Sequence, residues 1–360
     1  MTFTSYTDEL KATAKKLATK GKGILAVDES TPTFGKRLAS IGVDNTEENR
    51  QAYRGMLFTT PDLGKYISGA ILFEETLYQN HADGEKMVDK LNQQGIITGI
   101  KVDKGLKPLY GADPGETYCS GFDGLTERAA EYYKAGARFA KWRSVIQIEL
   151  GDYGLVDPQK PSPYALHESV WGLAKYARAV QEAGLVPIIE PEILMDGDHE
   201  LETCKAIQSR LLQEIYWACG VTDVYLEGTL LKPSMTVPGT DCKDKSNPKE
   251  IAKVTIDVMK TNVRPEVPGI VFLSGGLSEE AASVYLNEMN QFDTPWNVSF
   301  SYGRALQHSC LKAWGGSNIE AGQAALLARA QANSEASKGE YVAGSQPSSD
   351  EELFVAGYTY

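Results

Sequence analysis

In this 360-residue chain, polar and charged side chains lie at the carboxyl ends of seven short apolar runs. Residues two positions apart project to the same side of a strand. Parallel strands also bring their carboxyl ends to one face, so these side chains are expected to meet there. The set is Asp28, Lys101, Asp103, Lys141, Arg143, Glu190, Glu192, Lys232, Ser274 and Arg304.

Such a set favours carbonyl chemistry by an amine. A lysine among other cations and away from water has a lowered pKa, and its neutral amine attacks a carbonyl carbon to form a Schiff base. Lys232 follows the apolar pair Leu230 and Leu231, which predicts partial desolvation of its amine. Neighbouring carboxylates supply the proton transfers that this chemistry needs.

The excess of cations at this face points to an anionic substrate. The sequence Ser274-Gly275-Gly276 leads from one apolar run into a helical segment. Glycine-rich turns before a helix present backbone N–H groups to phosphate. In barrels, phosphate sites frequently lie after the last two strands, where this turn falls. A phosphorylated substrate is therefore expected.

Eight short apolar runs alternate with helical segments, which predicts βαβ units and a parallel sheet. Eight units favour a single (β/α)8 TIM barrel of the α/β class. A doubly wound sheet is the competing fold, but ESTPTFGK after the first run does not match GxGxxG. The runs are Gly23–Asp28, Ile67–Phe73, Ile96–Val102, Ala137–Arg143, Leu185–Glu192, Val224–Lys232, Gly269–Gly275 and Val298–Arg304.

The two ends of the chain differ from the barrel segments. Leu10, Ala14 and Leu17 recur at helical spacing, which predicts an amphipathic N-terminal helix. We expect one barrel domain over residues 1–330 and a flexible tail over 331–360, rich in Ser, Gly and acid. The tail closes on GYTY, and this aromatic end favours a docking or lid role as much as a solvated one.

Composition excludes several classes of protein. The formal charge is −12 from 36 basic and 48 acidic residues, which disfavours nucleic acid and anionic membranes as partners. Five widely spaced cysteines without CxxC suit a reducing compartment, and four histidines without HxH or HExxH predict no metal site. We expect no membrane span and a cytoplasmic location, with a plastid form after removal of a transit peptide as the alternative.

These segments closely resemble class I fructose-bisphosphate aldolase over essentially the whole chain. The resemblance implies a metal-independent barrel enzyme of glycolysis and gluconeogenesis, usually a homotetramer, whose only covalent group is the substrate Schiff base. It would cleave fructose 1,6-bisphosphate reversibly to dihydroxyacetone phosphate and glyceraldehyde 3-phosphate. The motifs are GILAVDES (23–30), GIKVDKG (99–105), ARFAKWR (137–143), PIIEPEIL (187–194), EGTLLKP (227–233), FLSGG (272–276), FSYGRALQ (300–307) and the closing GYTY.

The resemblance also implies roles for individual residues. Lys232 would form the iminium at the ketose C2, and Glu190 would be its acid–base residue. Glu192 and Lys141 would assist Glu190, Asp28 would position the C4 hydroxyl for C3–C4 cleavage, and Tyr360 would exchange the enamine proton. The expected phosphate contacts are Ser274, Gly275 and Arg304 at C1, Lys101 and Arg143 at a phosphate end, and Ser30, Lys36 and Arg37 in the segment after Asp28.

Three other functions remain open on the sequence. One is another Schiff-base aldolase or transaldolase that acts on a single phosphate. A second is a metal-dependent aldolase. The third, a non-enzymatic role, is a scaffold that binds filaments or pump subunits, as some members of the family do.

Overall fold

The computed structural model describes residues 5–151 and 159–357 of the chain. Ten strands lie in these ranges: β1 (Gly23–Val27), β2 (Ile67–Leu72), β3 (Ile97–Lys101), β4 (Leu106–Pro108), β5 (Thr117–Cys119), β6 (Phe139–Ile146), β7 (Val186–Ile193), β8 (Leu230–Leu231), β9 (Gly269–Phe272) and β10 (Asn297–Tyr302). The α-helices are α1 (Thr7–Leu17), α2 (Thr31–Ala39), α3 (Glu47–Phe58), α4 (Glu74–Tyr78), α5 (Met87–Gln93), α6 (Leu125–Lys134), α7 (Pro163–Glu182), α8 (Leu201–Val221), α9 (Pro248–Asn262), α10 (Glu279–Met289), α11 (Arg304–Trp314) and α12 (Ile319–Ala336).

Eight of the strands close into a barrel in the order β1-β10-β9-β8-β7-β6-β3-β2, and every neighbouring pair is parallel. The predicted (β/α)8 barrel is therefore confirmed. The strands β4 and β5 form a separate antiparallel pair between β3 and β6. Within the described ranges, no helix has the length and apolar character that a membrane crossing would need.

One predicted strand is much shorter than its apolar run. The run Val224–Lys232 contains a 3-10 turn at Leu226–Gly228, and only Leu230–Leu231 is strand. The cause is Gln181 of α7, whose amide donates to the Tyr225 and Gly228 carbonyls and accepts from the Tyr225 N–H. The hydrogen bonds of these backbone groups are therefore made by a side chain and not by a neighbouring strand.

The amino-terminal end of the barrel is closed by α1. Leu10, Ala14 and Leu17 are buried against apolar side chains that point into the barrel, which confirms the predicted helix and its apolar face. The interior side chains of this floor are Ile24, Ala26, Ile71, Phe139, Val186, Ile188, Leu230 and Val271. The floor is thus a buried apolar layer below the charged residues of the same strands.

The segment after the last helix reaches the opposite end of the barrel. Helix α12 continues to Ala336, six residues past the predicted domain limit at residue 330. From residue 340 to 357 the chain has neither helix nor strand, and it lies across the loop after β9. Leu353 donates its N–H to the Gly276 carbonyl at 3.0 Å, and Gly357 donates to Asp196 Oδ1 at 2.6 Å.

Candidate active site

Four predicted residues form a chain of ion pairs at the carboxyl end of the barrel. Lys141 Nζ lies 2.7 Å from Asp28 Oδ2 and 3.3 Å from Glu190 Oε2. The other oxygen of Glu190 lies 3.2 Å from Lys232 Nζ. All four side chains are buried, so their charges are stabilised by one another and not by water.

Strand alternation explains why these residues meet. Lys141 and Glu190 stand two residues after Phe139 and Ile188, which belong to the floor. Lys232 likewise follows Leu230 by two residues. Because alternate residues face the same side, each strand carries an apolar group at the floor and a charged group at the mouth. The expectation drawn from period-two spacing is therefore met for these strands.

Electrostatics keeps Asp28 ionised. Burial by itself raises the pKa of this carboxyl, but the facing Lys141, and then Lys232, lower it, and the net pKa is below the ordinary value. Asp28 is therefore an ionised carboxylate at neutral pH, able to accept a proton or a hydroxyl hydrogen bond.

Two further pairs flank this chain of charges. Arg143 Nε donates to Glu192 Oε2 at 2.5 Å, and Lys101 Nζ donates to Asp103 Oδ1 at 2.6 Å. Burial by itself raises the pKa of Glu192, but the charge and hydrogen bond of Arg143 lower it. The net pKa lies below the usual value for a glutamate. All four side chains are buried. The two cations predicted as phosphate contacts are thus paired with carboxylates in this structure.

The predicted phosphate turn lies beside Lys232. Ser274 and Gly275 line the same cleft as Lys232 and Arg304. Gly275 and Gly276 have φ values of 61° and 111°, a backbone region that favours glycine. The turn leads into α10, whose cap is Ser278, with Oγ accepting from the Ala281 N–H at 3.1 Å.

The cleft brings together some of the predicted residues and leaves others outside. Lys141, Lys101 and Arg143 are buried in the barrel interior next to it. Ser30 and Lys36 are absent from its lining; Ser30 Oγ lies 3.0 Å from Thr33 Oγ1, and Lys36 is exposed on α2. Tyr360 lies outside the described residues. The predicted residues that line the cleft are Asp28, Arg37, Glu190, Glu192, Lys232, Ser274, Gly275 and Arg304.

Glu29, which lines the cleft, and Gln307, which is hydrogen-bonded to it, are not predicted from the sequence pattern. Glu29 is buried, forms an ion pair with Arg37, and accepts a hydrogen bond from Gln307 Nε2 at 3.2 Å. Gln307 also donates to the Ala26 carbonyl at 2.7 Å. Strand alternation places Glu29 opposite to Asp28, but β1 ends at Val27 and the chain turns. The sequence signal for Glu29 is the basic pair Lys36 and Arg37, because a cation near the mouth needs a carboxylate partner.

The fold and the site define a (β/α)8-barrel enzyme with a buried lysine amine between carboxylates and a phosphate-binding turn beside it. In the part of the chain that the structure covers, no three His, Cys, Asp or Glu side chains are grouped as metal ligands would be.

Comparison with known proteins then identifies the family. The profile of the glycolytic family described as fructose-bisphosphate aldolase class-I matches residues 9–360, and the chain belongs to this family. Chloroplastic fructose-bisphosphate aldolase 2 of Arabidopsis thaliana is 53% identical over 99% of this chain and 88% of its own length. The cytosolic aldolase 4 of the same plant is 52% identical, with coverages of 98% and 89%.

A solved structure agrees with the sequence relatives. It is a ternary co-crystal structure of fructose-bisphosphate aldolase from Plasmodium falciparum in complex with TRAP and a small-molecule inhibitor. It is 49% identical, covers 94% of this chain and 96% of its own, and has a TM-score of 0.91. The predicted family and enzyme class, a lyase of EC 4.1.2.13, are confirmed. Class I aldolases use a Schiff base in place of a metal, which overturns the metal-dependent alternative.

Proposed function

We propose that the enzyme performs its aldol cleavage through Lys232, with Glu190, Lys141 and Asp28 as the groups that move or hold protons. The observation that carries this proposal is the continuous chain Lys232–Glu190–Lys141–Asp28, with successive atoms 2.7–3.3 Å apart in a buried mouth. Each member can change charge only if a neighbour compensates, which couples the amine to both carboxylates.

Schiff-base formation uses the Lys232 end of this chain. Glu190 accepts a proton from the Lys232 ammonium, and the neutral amine attacks C2 of the ketose. The attacking nitrogen then gives up a second proton to the C2 alkoxide. Glu190 returns the first proton to the resulting hydroxyl of the carbinolamine, which leaves as water. The product is a protonated imine. Lys141 contacts the other oxygen of Glu190 and so holds this carboxyl group in place between these transfers.

Carbon–carbon cleavage uses the Asp28 end. Asp28 accepts the proton of the C4 hydroxyl, the C3–C4 bond breaks, and its electron pair moves into the iminium to give an enamine. Glyceraldehyde 3-phosphate leaves first. Protonation of the enamine at C3, the step assigned by resemblance to Tyr360, and hydrolysis of the imine release dihydroxyacetone phosphate and regenerate Lys232.

The two phosphates are assigned to two sides of the mouth. The C1 phosphate would lie on Ser274 and Gly275 with Arg304, at the positive end of α10. The second phosphate would be held by Arg37 from α2, with Lys36 and Ser30 joining it from the same segment. The charged side chains between the two phosphate sites would be those of Lys101, Arg143 and Glu192. This arrangement disfavours a one-phosphate aldolase.

Borohydride trapping tests the central assignment. Reduction of the imine in the presence of dihydroxyacetone phosphate should add one covalent substrate per chain, on the peptide that contains Lys232. The control is Lys232→Arg, which keeps the charge but should not be labelled. A label on Lys141 or Lys101, or no label, would overturn the proposal.

We also propose a homotetramer, as the family commonly forms oligomers. Trp217 and Val221 are 61% and 56% exposed on α8, and Trp217 packs edge-on against Trp171 at 5.4 Å. A second copy that covers this apolar face would explain its exposure. Light scattering should give about four times the mass of one chain, and Trp217→Glu should reduce it. A wild-type mass of one chain rejects the proposal.

A cytoplasmic location is proposed as well. The free, buried cysteines suit a reducing compartment. Among the relatives are both chloroplastic and cytosolic aldolases of Arabidopsis thaliana at 52–53% identity. Cell fractionation followed by activity and antibody detection should place the enzyme in the cytosolic fraction. Recovery in plastids would replace this proposal with the plastid alternative.

A further inference from the structure

Arg54 of α3 lies beneath the mouth and is fully buried. Its guanidinium donates from Nη2 to the Glu29 carbonyl at 2.8 Å and from Nη1 to Thr76 Oγ1 at 2.9 Å. The same Nη1 lies 3.2 Å from Glu75 Oε1. A fourth group, the Phe34 ring, has its centroid 5.0 Å from the guanidinium carbon. One side chain therefore joins the segment after β1, helix α2 and helix α4.

Two of these contacts lie close in the chain to residues of the reaction centre. The Glu29 carbonyl belongs to the residue after Asp28, at the point where β1 has ended and the sheet no longer fixes the backbone. Phe34 lies on α2, one turn before Arg37, which lines the cleft. Arg54 thus holds both the backbone that carries Asp28 and the helix that carries Arg37.

The guanidinium is the part of Arg54 that makes this possible. Its planar fork presents several N–H donors in fixed directions and stacks on an aromatic ring. A lysine ammonium at the same depth has the same charge, but it cannot reach the Glu29 carbonyl, Thr76 and the Phe34 face together. The position of α2 relative to Asp28 therefore depends on the shape of this side chain as well as on its charge.

We propose that Arg54 is a positioning residue that sets the distance between Asp28 and Arg37, and thereby the selectivity of the enzyme for a substrate with two phosphates. The inference rests on the proposed function, in which Asp28 acts at C4 and Arg37 holds the second phosphate. Fructose 1-phosphate lacks that phosphate. The loss of Arg54 contacts should therefore penalise the bisphosphate more than the monophosphate.

The chain offers a matched control one turn earlier on the same helix. Arg50 is also buried and donates to both oxygens of Glu75 at 2.9 and 2.5 Å, but its other partner is Asn45. Arg50→Lys and Arg54→Lys both weaken the Glu75 ion pairs. Only the Arg54 change removes the bonds to Glu29 and the stacking on Phe34.

The experiment measures kcat and KM for fructose 1,6-bisphosphate and fructose 1-phosphate, together with the thermal midpoint. In Arg54→Lys, the ratio of kcat/KM for the bisphosphate to that for the monophosphate should fall about tenfold, because displacing a contact by a fraction of an ångström weakens transition-state binding. In Arg50→Lys the ratio should stay within about twofold of wild type, with a similar fall in thermal midpoint.

If Arg54→Lys does not fold, Phe34→Leu removes one Arg54 contact and keeps an apolar group in the core. It should lower the same ratio, by about threefold. An unchanged ratio in the folded variant, or an equal change in Arg50→Lys, overturns the inference. Trapping on Lys232 separates the two proposals: a label on Lys232 with an unchanged ratio rejects only the role of Arg54, whereas no label rejects the proposed function.

Discussion

The interior of the barrel has two ends built from the same strands with opposite chemistry. At the floor, Phe139 and its neighbours pack against α1 in a buried apolar layer. Two residues further along β6, Lys141 lies between the carboxylates of Asp28 and Glu190. On β6, burial of the Phe139 ring therefore stabilises the fold, whereas burial of the Lys141 ammonium is costly unless a carboxylate pairs with it.

This contrast separates the residues that stabilise the barrel from those that take part in the reaction. Burial of a large apolar side chain contributes roughly 1.5–3 kcal/mol to the free energy of unfolding. A buried ion pair contributes little or nothing on balance, because desolvation offsets the attraction between the charges. Changes at the floor should then affect stability, and changes at the mouth should affect turnover. Four experiments test that division, from the largest expected effect to the smallest.

The largest effect is expected for Lys232→Met at the mouth. Without the amine no imine forms, and kcat for the bisphosphate should fall by at least about 10⁴-fold, which corresponds to about 5.5 kcal/mol. The free energy of unfolding should change far less than turnover, since Lys141 still pairs with Glu190 and an apolar group takes the place of the buried amine. A coupled assay and denaturant titration measure both quantities. Turnover within a hundredfold of wild type would contradict the separation of roles.

Phe139→Ala tests the floor on the same strand. The ring packs against Gly99 and Gly69; a Cβ built on Gly99 would lie 2.2 Å from a ring carbon. Truncation should lower the free energy of unfolding by about 3–5 kcal/mol, the cost of a large core cavity. Below the unfolding transition, kcat per folded molecule should remain within about twofold. A tenfold loss of kcat would show that the floor also sets the geometry of Lys141.

Removal of Tyr360 tests whether the end of the chain takes part in the reaction at the mouth. If this residue exchanges the enamine proton, its deletion should lower kcat for the bisphosphate about tenfold and leave KM and the thermal midpoint nearly unchanged. The matched control is Tyr360→Phe, which keeps the ring and removes the hydroxyl. Equal turnover in the wild type and the deletion would show that the tail has no catalytic role.

The smallest effect is expected in the pH dependence of stability. The folded-state pKa of Glu192 lies below its ordinary value of 4.5. A depressed pKa adds stability that is present above the unfolded value and is lost as pH falls through the folded one. Below about pH 4.5, wild type should therefore lose stability more steeply than Glu192→Gln, by about 1 kcal/mol. Parallel acid-unfolding curves would show that the Arg143–Glu192 pair adds nothing.

Much of the barrel and of its charged mouth can be predicted from the alternation of apolar and polar residues along the sequence. The eight barrel strands coincide with apolar runs, and alternation places Lys141, Glu190 and Lys232 at the mouth because their strands are regular up to those residues. The prediction is wrong for the length of β8, where Gln181 from another element takes over the backbone hydrogen bonds.

The parts that sequence does not reveal depend on distant partners. Arg54 bonds to a carbonyl 25 residues away, and a carbonyl leaves no signature in the side-chain pattern. Arg304 likewise donates to the Leu353 carbonyl, 49 residues along the chain. Glu29 follows a strand that has already ended, so alternation no longer gives its direction. Each of these contacts is set by packing and not by local periodicity.

The path of the final segment has a practical consequence for anyone who handles this enzyme. Gly357 is hydrogen-bonded to Asp196, and Phe354 lies so close to Gly276 that an added Cβ there would be 2.9 Å from its Cα. Residues 353–357 thus lie against the loop that carries Ser274 and Gly275, so a purification tag fused after Tyr360 would be attached close in the chain to this contact. Helix α1, near the amino end of the chain, packs instead on the apolar floor at the other end of the barrel. Activity comparisons between laboratories should therefore use the amino-terminal fusion.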